Sequence, residues 1–255
     1  MVHGSRAGPR SRYWIGRARV GRAWAAFIGI VGDNASHSHH AIQGFSGRRV
    51  FVQDGAQEAR VGDGFVLPPD FAHRATAADE AAFLYVDPDT LAGRAIALRL
   101  RDSVWALAPA EAVAFRAIVQ DAITAGDDAG PADALADLLG APREQASRAD
   151  PRIASLIERI STSHDLPDDA GAAAASVGLS ESRLVHLFSH EVGVPWRTFL
   201  LWTKLRRAIE AVAAGATLTA AAHVGGFADS AHFSRTCRVM FGISPHAMTR
   251  GLAFR

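Results

Sequence analysis

The sequence predicts an α+β chain. An N-terminal β-barrel or sandwich with following helices precedes an all-α domain of two helix-turn-helix units joined by a long helix. Three observations carry this reading. Up to about Val86 the chain shows short apolar runs rich in aromatic and β-branched residues, punctuated by Gly, Asp, Asn and Pro. After Pro88 the apolar period becomes that of helices. The C-terminal third then repeats itself: Gly178-Leu179-Ser180-Glu181-Ser182-Arg183-Leu184 returns 48 residues later as Gly226-Phe227-Ala228-Asp229-Ser230-Ala231-His232.

The first dozen residues, rich in Arg, Ser and Gly, are expected to be disordered. Trp24-Ala25-Ala26-Phe27-Ile28, Val50-Phe51-Val52, Phe65-Val66-Leu67 and Phe83-Leu84-Tyr85-Val86 are the expected strands. The first follows an Arg-rich start, but Gly29 and Gly32 interrupt the apolar run, so it reads as a strand entering a turn rather than a signal peptide. A helix beginning near Pro109 aligns Phe115, Ile118, Val119, Ala122 and Ile123 on one side. It is expected to cover the chain's own core, a dimer seam being the other use of such a stripe. These signals divide the chain into a sensor domain at 13–125, a Gly- and Pro-punctuated linker with room for a short helix at 126–149, and a helical domain at 150–255. Asp150-Pro151 supplies an N-cap and a first-turn proline for a helix over Arg152–Ser161, and everything beyond is expected to be helical.

In the first unit, Asp168 or Asp169 caps a helix through Ala170–Ala175, Val177-Gly178-Leu179 turns, and Ser180 caps a helix from Glu181 to about Glu191. In the second, Thr217 or Thr219 caps a helix through Val224, Gly225-Gly226-Phe227 turns, and Asp229 caps a helix to Met240. The turn leaves the right-handed region, which glycine does most cheaply. Ala174 and Ala222, each four residues before that glycine, are small where the helices must cross closely. Leu184, Leu187 and Phe188, and Phe233, Cys237 and Phe241, are the expected buried faces. The connector from Trp196 to about Ala214 spans about 28 Å at ~1.5 Å per residue, close to the roughly 34 Å of one DNA turn. Two second helices so spaced suit adjacent major-groove segments of duplex DNA.

Composition bounds the class. With 49% hydrophobic and 21% charged residues among 255, the chain can build real globular cores. A net charge of +1 conceals a basic end: from Ser180 onward nine Lys/Arg stand against four Asp/Glu. That neutralises some phosphates without making a polybasic tail. Cys237 is the only cysteine, which excludes an intrachain disulfide and points to a reducing compartment. Its helical spacing from Phe233 and Phe241 reads as a core position rather than a redox sensor. No apolar stretch approaches the roughly 18 residues of a spanning helix, so the expected location is cytoplasmic, with no membrane partner.

Gly225-Gly226-Phe227-Ala228-Asp229-Ser230-Ala231-His232-Phe233-Ser234-Arg235, followed by Phe241-Gly242-Ile243-Ser244-Pro245, resembles the signature of the AraC/XylS family of bacterial transcription regulators. The resemblance runs from about Asp150 to Arg255. It implies a seven-helix domain whose third and sixth helices read bases. The family's base-reading positions fall on Ser182, Val185 and His186 in the first unit and on Ser230, Ala231 and Arg235 in the second. The planar fork of Arg235 suits guanine O6 and N7 together. Arg183, Arg206, Arg207 and Arg238 are the expected phosphate contacts, which position without specifying. Two features depart from the family: Lys204 stands where Arg is usual, losing the fork, and Gly171-Ala172-Ala173-Ala174-Ala175 replaces core Leu or Ile, so that helix is expected to pack thinly.

His37-Ser38-His39-His40-Ala41-Ile42-Gln43, then Gly62-Asp63-Gly64-Phe65-Val66-Leu67-Pro68-Pro69-Asp70-Phe71-Ala72-His73, resemble the two cupin motifs over roughly Trp24 to Asp87. On a strand, His37 and His39 share a face, with Gln43 and His73 joining from neighbouring segments and His40 facing outward. Gln43 stands where Glu is usual and Ala77 where Asn is usual. Two readings stay open: a metal-free pocket for an effector, or a divalent metal (Zn, Fe, Mn, Ni or Cu) held by His37, His39, Gln43 and His73.

The expected function is a one-component, sequence-specific DNA-binding transcription regulator, not an enzyme. Its cupin-like domain would serve effector binding or dimerisation, with signal passing through the 109–150 helices. Promoter duplex DNA is the expected partner, RNA polymerase and a small-molecule effector are further ones, and the chain is a monomer or homodimer. The alternative is a metal-dependent cupin enzyme, a dioxygenase or isomerase, with an appended helical domain.

Overall fold

The computed structural model describes residues 13–254 apart from 33, 55–58, 126–129, 147–149, 164–165 and 168. The first dozen residues, the start of the linker and Asp168 as a cap therefore lie outside the described residues. Six strands come first: β1 (Ile15–Val20), β2 (Trp24–Ile30), β3 (Ile42–Gln53), β4 (Arg60–Leu67), β5 (Arg74–Ala77) and β6 (Glu80–Val86). Then follow α1 (Leu91–Leu100), β7 (Trp105–Ala106), α2 (Pro109–Thr124), α3 (Gly130–Leu138) and α4 (Arg143–Ala146). The remainder holds α5 (Pro151–Thr162), α6 (Ala170–Ala175), α7 (Glu181–Val192), α8 (Trp196–Ala213), α9 (Leu218–Val224), α10 (Ser230–Phe241) and α11 (Pro245–Gly251), and it ends in β8 (Leu252–Phe254).

The strands form one sheet in the order β7-β4-β3-β6-β2-β1-β8, with β5 paired on the far half of β3. Register is set by side-chain alternation. Phe27 lies opposite Phe83, Phe83 opposite Phe45 and Phe45 opposite Phe65, a cross-strand ladder with ring centroids 6.0, 5.3 and 5.9 Å apart. Their chain neighbours Ala26, Ile28, Ala82, Leu84 and Val66 point to the other face, where α1, α2 and α3 cover them. Slipping any of these strands by one residue would exchange the two faces.

The stripe on α2 covers the chain's own core, as expected: Phe115, Val119, Ala122 and Ile123 are buried, with Ile118 beside them. Three features differ from expectation. The short helix for which the predicted linker had room is α3, but its Ala132, Leu135 and Ala136 belong to that same core rather than to a connector. α1 was not anticipated, although Thr90 caps it by accepting from the Gly93 N–H. The described residues also do not end as helix, since β8 pairs in parallel with Gly16–Ala18 of β1, joining Leu252–Phe254 to the sheet. Gly251 permits this approach, because a Cβ there would stand 1.9 Å from the Trp14 carbonyl oxygen.

Seven helices, α5 to α11, make up the helical half among the described residues. Asp150, Asp169, Ser180, Thr217 and Asp229 each cap as the sequence suggests, accepting a backbone N–H two or three residues on. The turn glycines Gly178 and Gly226 have φ of +68° and +76°, and Ala174 and Ala222 are buried at the helix crossings. One helix serves both units: Trp196 and Phe199 of α8 pack with Leu184 and Phe188 of α7, whereas Trp202, Leu205 and Ala208 pack with Phe233 and Cys237 of α10. Its 18 residues span about 27 Å at ~1.5 Å each. Cys237 is buried, which pushes its thiol up to about 12 despite nearby Arg238, as a core residue requires. In α6 only Ala173 and Ala174 are buried, and Val177 and Leu179 of the turn pack against the same core. No helix of the described residues is long and apolar enough to cross a membrane.

Candidate functional site

The outer faces of α7 and α10 form the candidate nucleic-acid surface. On α7, Ser182, Arg183 and His186 are exposed and Val185 is 38% exposed, a large apolar side chain left in water. On α10, Ala231, Arg235 and Arg238 are exposed and Ser230 is half-buried. Arg183, Arg235 and Arg238 form no ion pair with a described residue, so their guanidinium groups remain available to an anion. Each of these helices has a capped N-terminus and a Gly C-cap in the left-handed region, Gly193 and Gly242, so the face it presents is fixed at both ends.

The two α8 arginines sit differently from the expected phosphate contacts. Arg206 is 11% exposed; it donates to the carbonyl oxygen of Arg22 and to Glu210 Oε1 at 2.8 Å, and its Nε lies 3.9 Å from Asp87 Oδ2. Arg207 donates at 2.8 Å to the carbonyl oxygens of both Ile160 and Ser163, closing the end of α5. Arg206 therefore ties the helical half to the β-half, and Arg207 ties α8 to α5. Nothing local in the sequence distinguishes these roles from a phosphate contact.

Around Arg206 the halves share an apolar boundary. Tyr85, Phe241, Met248 and Phe254 each pack against both the inner core of the sheet and the core of the second unit. The halves thus touch directly, rather than only through the 109–150 helices. A cleft of about 110 Å³ lies at this boundary, lined among others by Trp14, Phe27, Tyr85, Trp202, Arg206 and Phe241. Trp14 Nε1, Trp202 Nε1 and Arg206 Nε are buried without a hydrogen-bond partner among the described residues, and all three residues line it. Leaving a buried donor unpaired costs about 1–3 kcal/mol; the two indole N–H groups bear this cost, whereas Arg206 Nε has the Asp87 carboxylate 3.9 Å away.

Beside the cleft lie the histidines. His37 and His39 are not on a strand; they precede β3 in an extended loop, where His37 bridges His73 by backbone hydrogen bonds of 2.9 and 2.8 Å. The rings nevertheless converge, with centroids of His37 and His73 4.5 Å apart and of His39 and His73 5.4 Å apart. Gln43 Oε1 lies 2.9 Å from His39 Nε2 and 3.1 Å from His73 Nε2. Burial, reinforced by neighbouring His37, lowers His39 to about 4; burial, with His39 and His37, lowers His73 to about 2, and burial also lowers His37. All three are neutral at pH 7 with ring nitrogens to share. One donor from each of these histidines lies within 4.8 Å of the others, and three imidazoles with an amide oxygen suit a borderline divalent ion.

His40 corrects an expectation. Instead of facing outward it is 1% exposed, with Nε2 3.2 Å from both oxygens of Asp89 and Nδ1 3.4 Å from Asp70 Oδ2. Burial opposes its charge, but Asp89, Asp70 and Asp87 outweigh burial and raise it to about 10. It is a buried imidazolium that locks the histidine loop to the segment after β6.

Residues 173–251 match the family model described as a helix-turn-helix domain, of the AraC type. No curated protein sequence matches the chain. Among solved structures, an apo variant of ToxT from Vibrio cholerae shares 10% identity at a TM-score of 0.60, over 92% of this chain and all of that one. A second ToxT structure shares 9% identity at 0.56, over 89% of this chain and 99% of that one. A third, ToxT with an unsaturated fatty acid bound, shares 9% identity at 0.53, over 88% and 93% respectively. At such identities the likeness establishes a shared fold across both halves.

Proposed function

We propose that this chain, a DNA-binding regulator whose C-terminal third is an AraC-type helix-turn-helix domain, is a cytoplasmic one-component transcription regulator that carries no catalytic activity. The observation that carries this is the repeated helix–glycine–helix unit presenting two capped helices with unpaired arginines. Ser182, Val185 and His186 of α7 and Ser230, Ala231 and Arg235 of α10 are its base-reading residues, and Arg183 and Arg238 hold phosphates. Arg235→Ala is expected to cost about 1–3 kcal/mol on a selected duplex and little on random DNA. Arg238→Ala should weaken both alike and reduce the salt slope by about one. Mobility-shift titrations at two ionic strengths check this, and an equal loss on both duplexes for Arg235→Ala would reduce it to a phosphate contact.

The effector reading rests on the apolar cleft between the halves, edged by the Trp14 and Trp202 indoles and by the Arg206 guanidinium. An elongated apolar molecule with a carboxylate head suits an apolar lining with one guanidinium at its edge, and the fatty-acid-bound ToxT structure supports this class. An unsaturated fatty acid is expected to bind at least about tenfold more tightly than its methyl ester, followed by tryptophan fluorescence, a difference of ~1.4 kcal/mol; equal affinity would remove the assigned role of Arg206. The enzyme alternative requires substrate to reach the histidines. His37, His39 and His73 are 8%, 3% and 1% exposed, and Trp202 and Phe241 lie against the His39 ring, which favours a sensor over a catalyst.

A further inference from the structure

We propose that a second cleft, between α1 and α4 of the β-half and α5 and the end of α7 in the first helix-turn-helix unit, binds an organic dianion with an apolar body. It encloses about 1130 Å³, against about 110 Å³ for the cleft at Arg206, and the two share no lining residue. Arg94, Arg99 and Arg101 line one side, and Ile153, Ala154 and Ile157 of α5 line the other.

The cleft is open because the two units are held unequally. The core of the second unit takes in Ala41 and Tyr85 of the β-half. The core of the first unit draws only on residues 153–200, and the core beneath α1, α2 and α3 ends at Ala141. Among the described residues, no hydrophobic core joins α5 to α1.

Charge and lining give the ligand class. Arg94 donates through Nη1 to the Asp89 carbonyl oxygen at 2.6 Å and through Nε to that of Ala146 at 3.2 Å. Arg99 donates through Nε to the Leu139 carbonyl oxygen at 2.9 Å, and its guanidinium carbon lies 4.3 Å from the Trp105 ring centroid. Neutral carbonyls orient these groups without cancelling their charge, and each guanidinium keeps further N–H donors for an anion. Arg101 and Asp102 follow with φ of +47° and +60°, two successive strained residues of the kind that folds retain at binding sites. None of the three arginines forms an ion pair with a described residue. Of the acids lining the cleft, Asp89 is engaged by His40, and Glu191 by the Asp150 N–H and His190. That leaves Asp102 against three arginines, a surplus of two positive charges. Guanidinium forks match carboxylate and phosphate oxygens, so the complementary head is a dianion. The body follows from Ile153, Ile157 and Leu98, the last 43% exposed on α1.

A ligand held by α1 and lying against α5 supplies the contact that the first unit lacks. It fixes α7 relative to the β-half, and so relative to α10, whose unit is already docked there. Ligand and DNA then alter each other's affinity by the same factor. The site stands without the regulator reading; this coupling rests on it.

The test is calorimetry of the full chain at pH 8 with 2-naphthyl phosphate and phenylsuccinate, both dianions there. Controls are 2-naphthyl sulfate, the same body with one charge, and inorganic phosphate, a head alone. One dianion per chain should bind, the tighter of the two naming the head, at least about tenfold more tightly than either control. Arg99→Gln combined with Arg101→Gln should weaken binding about tenfold or more. Arg101→Gln alone, at an exposed position, should weaken it about threefold, and keeps the site testable where the double variant fails to fold. Hydrogen exchange should slow in both α1 and α5, and affinity for a duplex selected from a random pool should change about fivefold or more. Binding by neither dianion, equal binding of either control, or undiminished binding by both variants overturns the site. Protection confined to α1 overturns the bridging. Binding with unchanged DNA affinity overturns the coupling, and binding by a chain that selects no duplex overturns the regulator reading instead.

Discussion

Phe233→Ala is expected to lower the stability of the second helix-turn-helix unit by about 3–5 kcal/mol, the range for an aromatic removed from a packed core. Phe233 is fully buried where α10 crosses α8 and α9, with its ring 5.5 Å from that of Phe227. The core it shares includes Ala208, Ala221 and Ala222, which have no long side chain to swing into the vacated space. The cavity would therefore stay open, and the cost should reach the upper part of the range. Arg235 follows two residues later on the same helix, so specific DNA binding should fail with it. Phe188→Ala offers the comparison in the first unit. Trp196 and Phe199, each 5.0 Å away, are larger neighbours that can collapse inward, so its loss should be smaller. Urea unfolding of both variants and the wild type, with hydrogen exchange locating the change, checks the order. A loss below about 1 kcal/mol for Phe233→Ala would mean that α10 is not anchored as described.

The parts of the molecule that could be read from the sequence are those specified by near neighbours. Ser180, Thr217 and Asp229 cap helices that start just after them, and Gly178 and Gly226 sit where the turn needs a positive φ. The histidine cluster was legible for a different reason. Spacing brought His37, His39 and His73 together although the segment is a loop, because the bridge between His37 and His73 fixes the same alternation a strand would. What stayed hidden depends on residues far apart in the chain. An arginine on an amphipathic helix looks the same whether it meets phosphate or, as Arg206 does, the carbonyl of Arg22. Likewise β8 exists because β1 offers it an edge, and His40 is buried because Asp89 and Asp70 surround it. The missed helix α1 had a local signal, Thr90 ahead of an apolar run within the stretch already read as helical in period.

Arg206→Met is expected to cost about 3 kcal/mol at pH 8, acting on the contact between the halves, since removing one member of a buried charged group strands the others. Asp87, about one-tenth exposed at its carboxylate, is the group most affected. Burial first, then Asp89, push its carboxyl up; Arg206 and His40 pull it back, and the balance leaves it at about 7. A carboxyl raised in the folded state contributes stability that is fully present below its ordinary pKa of about 4 and is lost as pH rises through 7. Removing Arg206 raises it further, so the variant should lose more stability than the wild type as pH climbs toward 8. At pH 5 Asp87 is protonated in both chains, and the difference should shrink by about 1.4 kcal/mol for each unit of additional shift. The lost bonds to Glu210 and the Arg22 carbonyl leave a part that pH does not remove. Methionine keeps most of the aliphatic volume, so packing against Ile209 and Trp202 should largely survive. Urea midpoints at pH 5 and pH 8, with proteolysis near the β1–β8 pairing as a probe of undocking, decide the matter. An equal loss at both pH values would show that Arg206 stabilises the boundary by packing and neutral hydrogen bonds, not by holding the Asp87 charge.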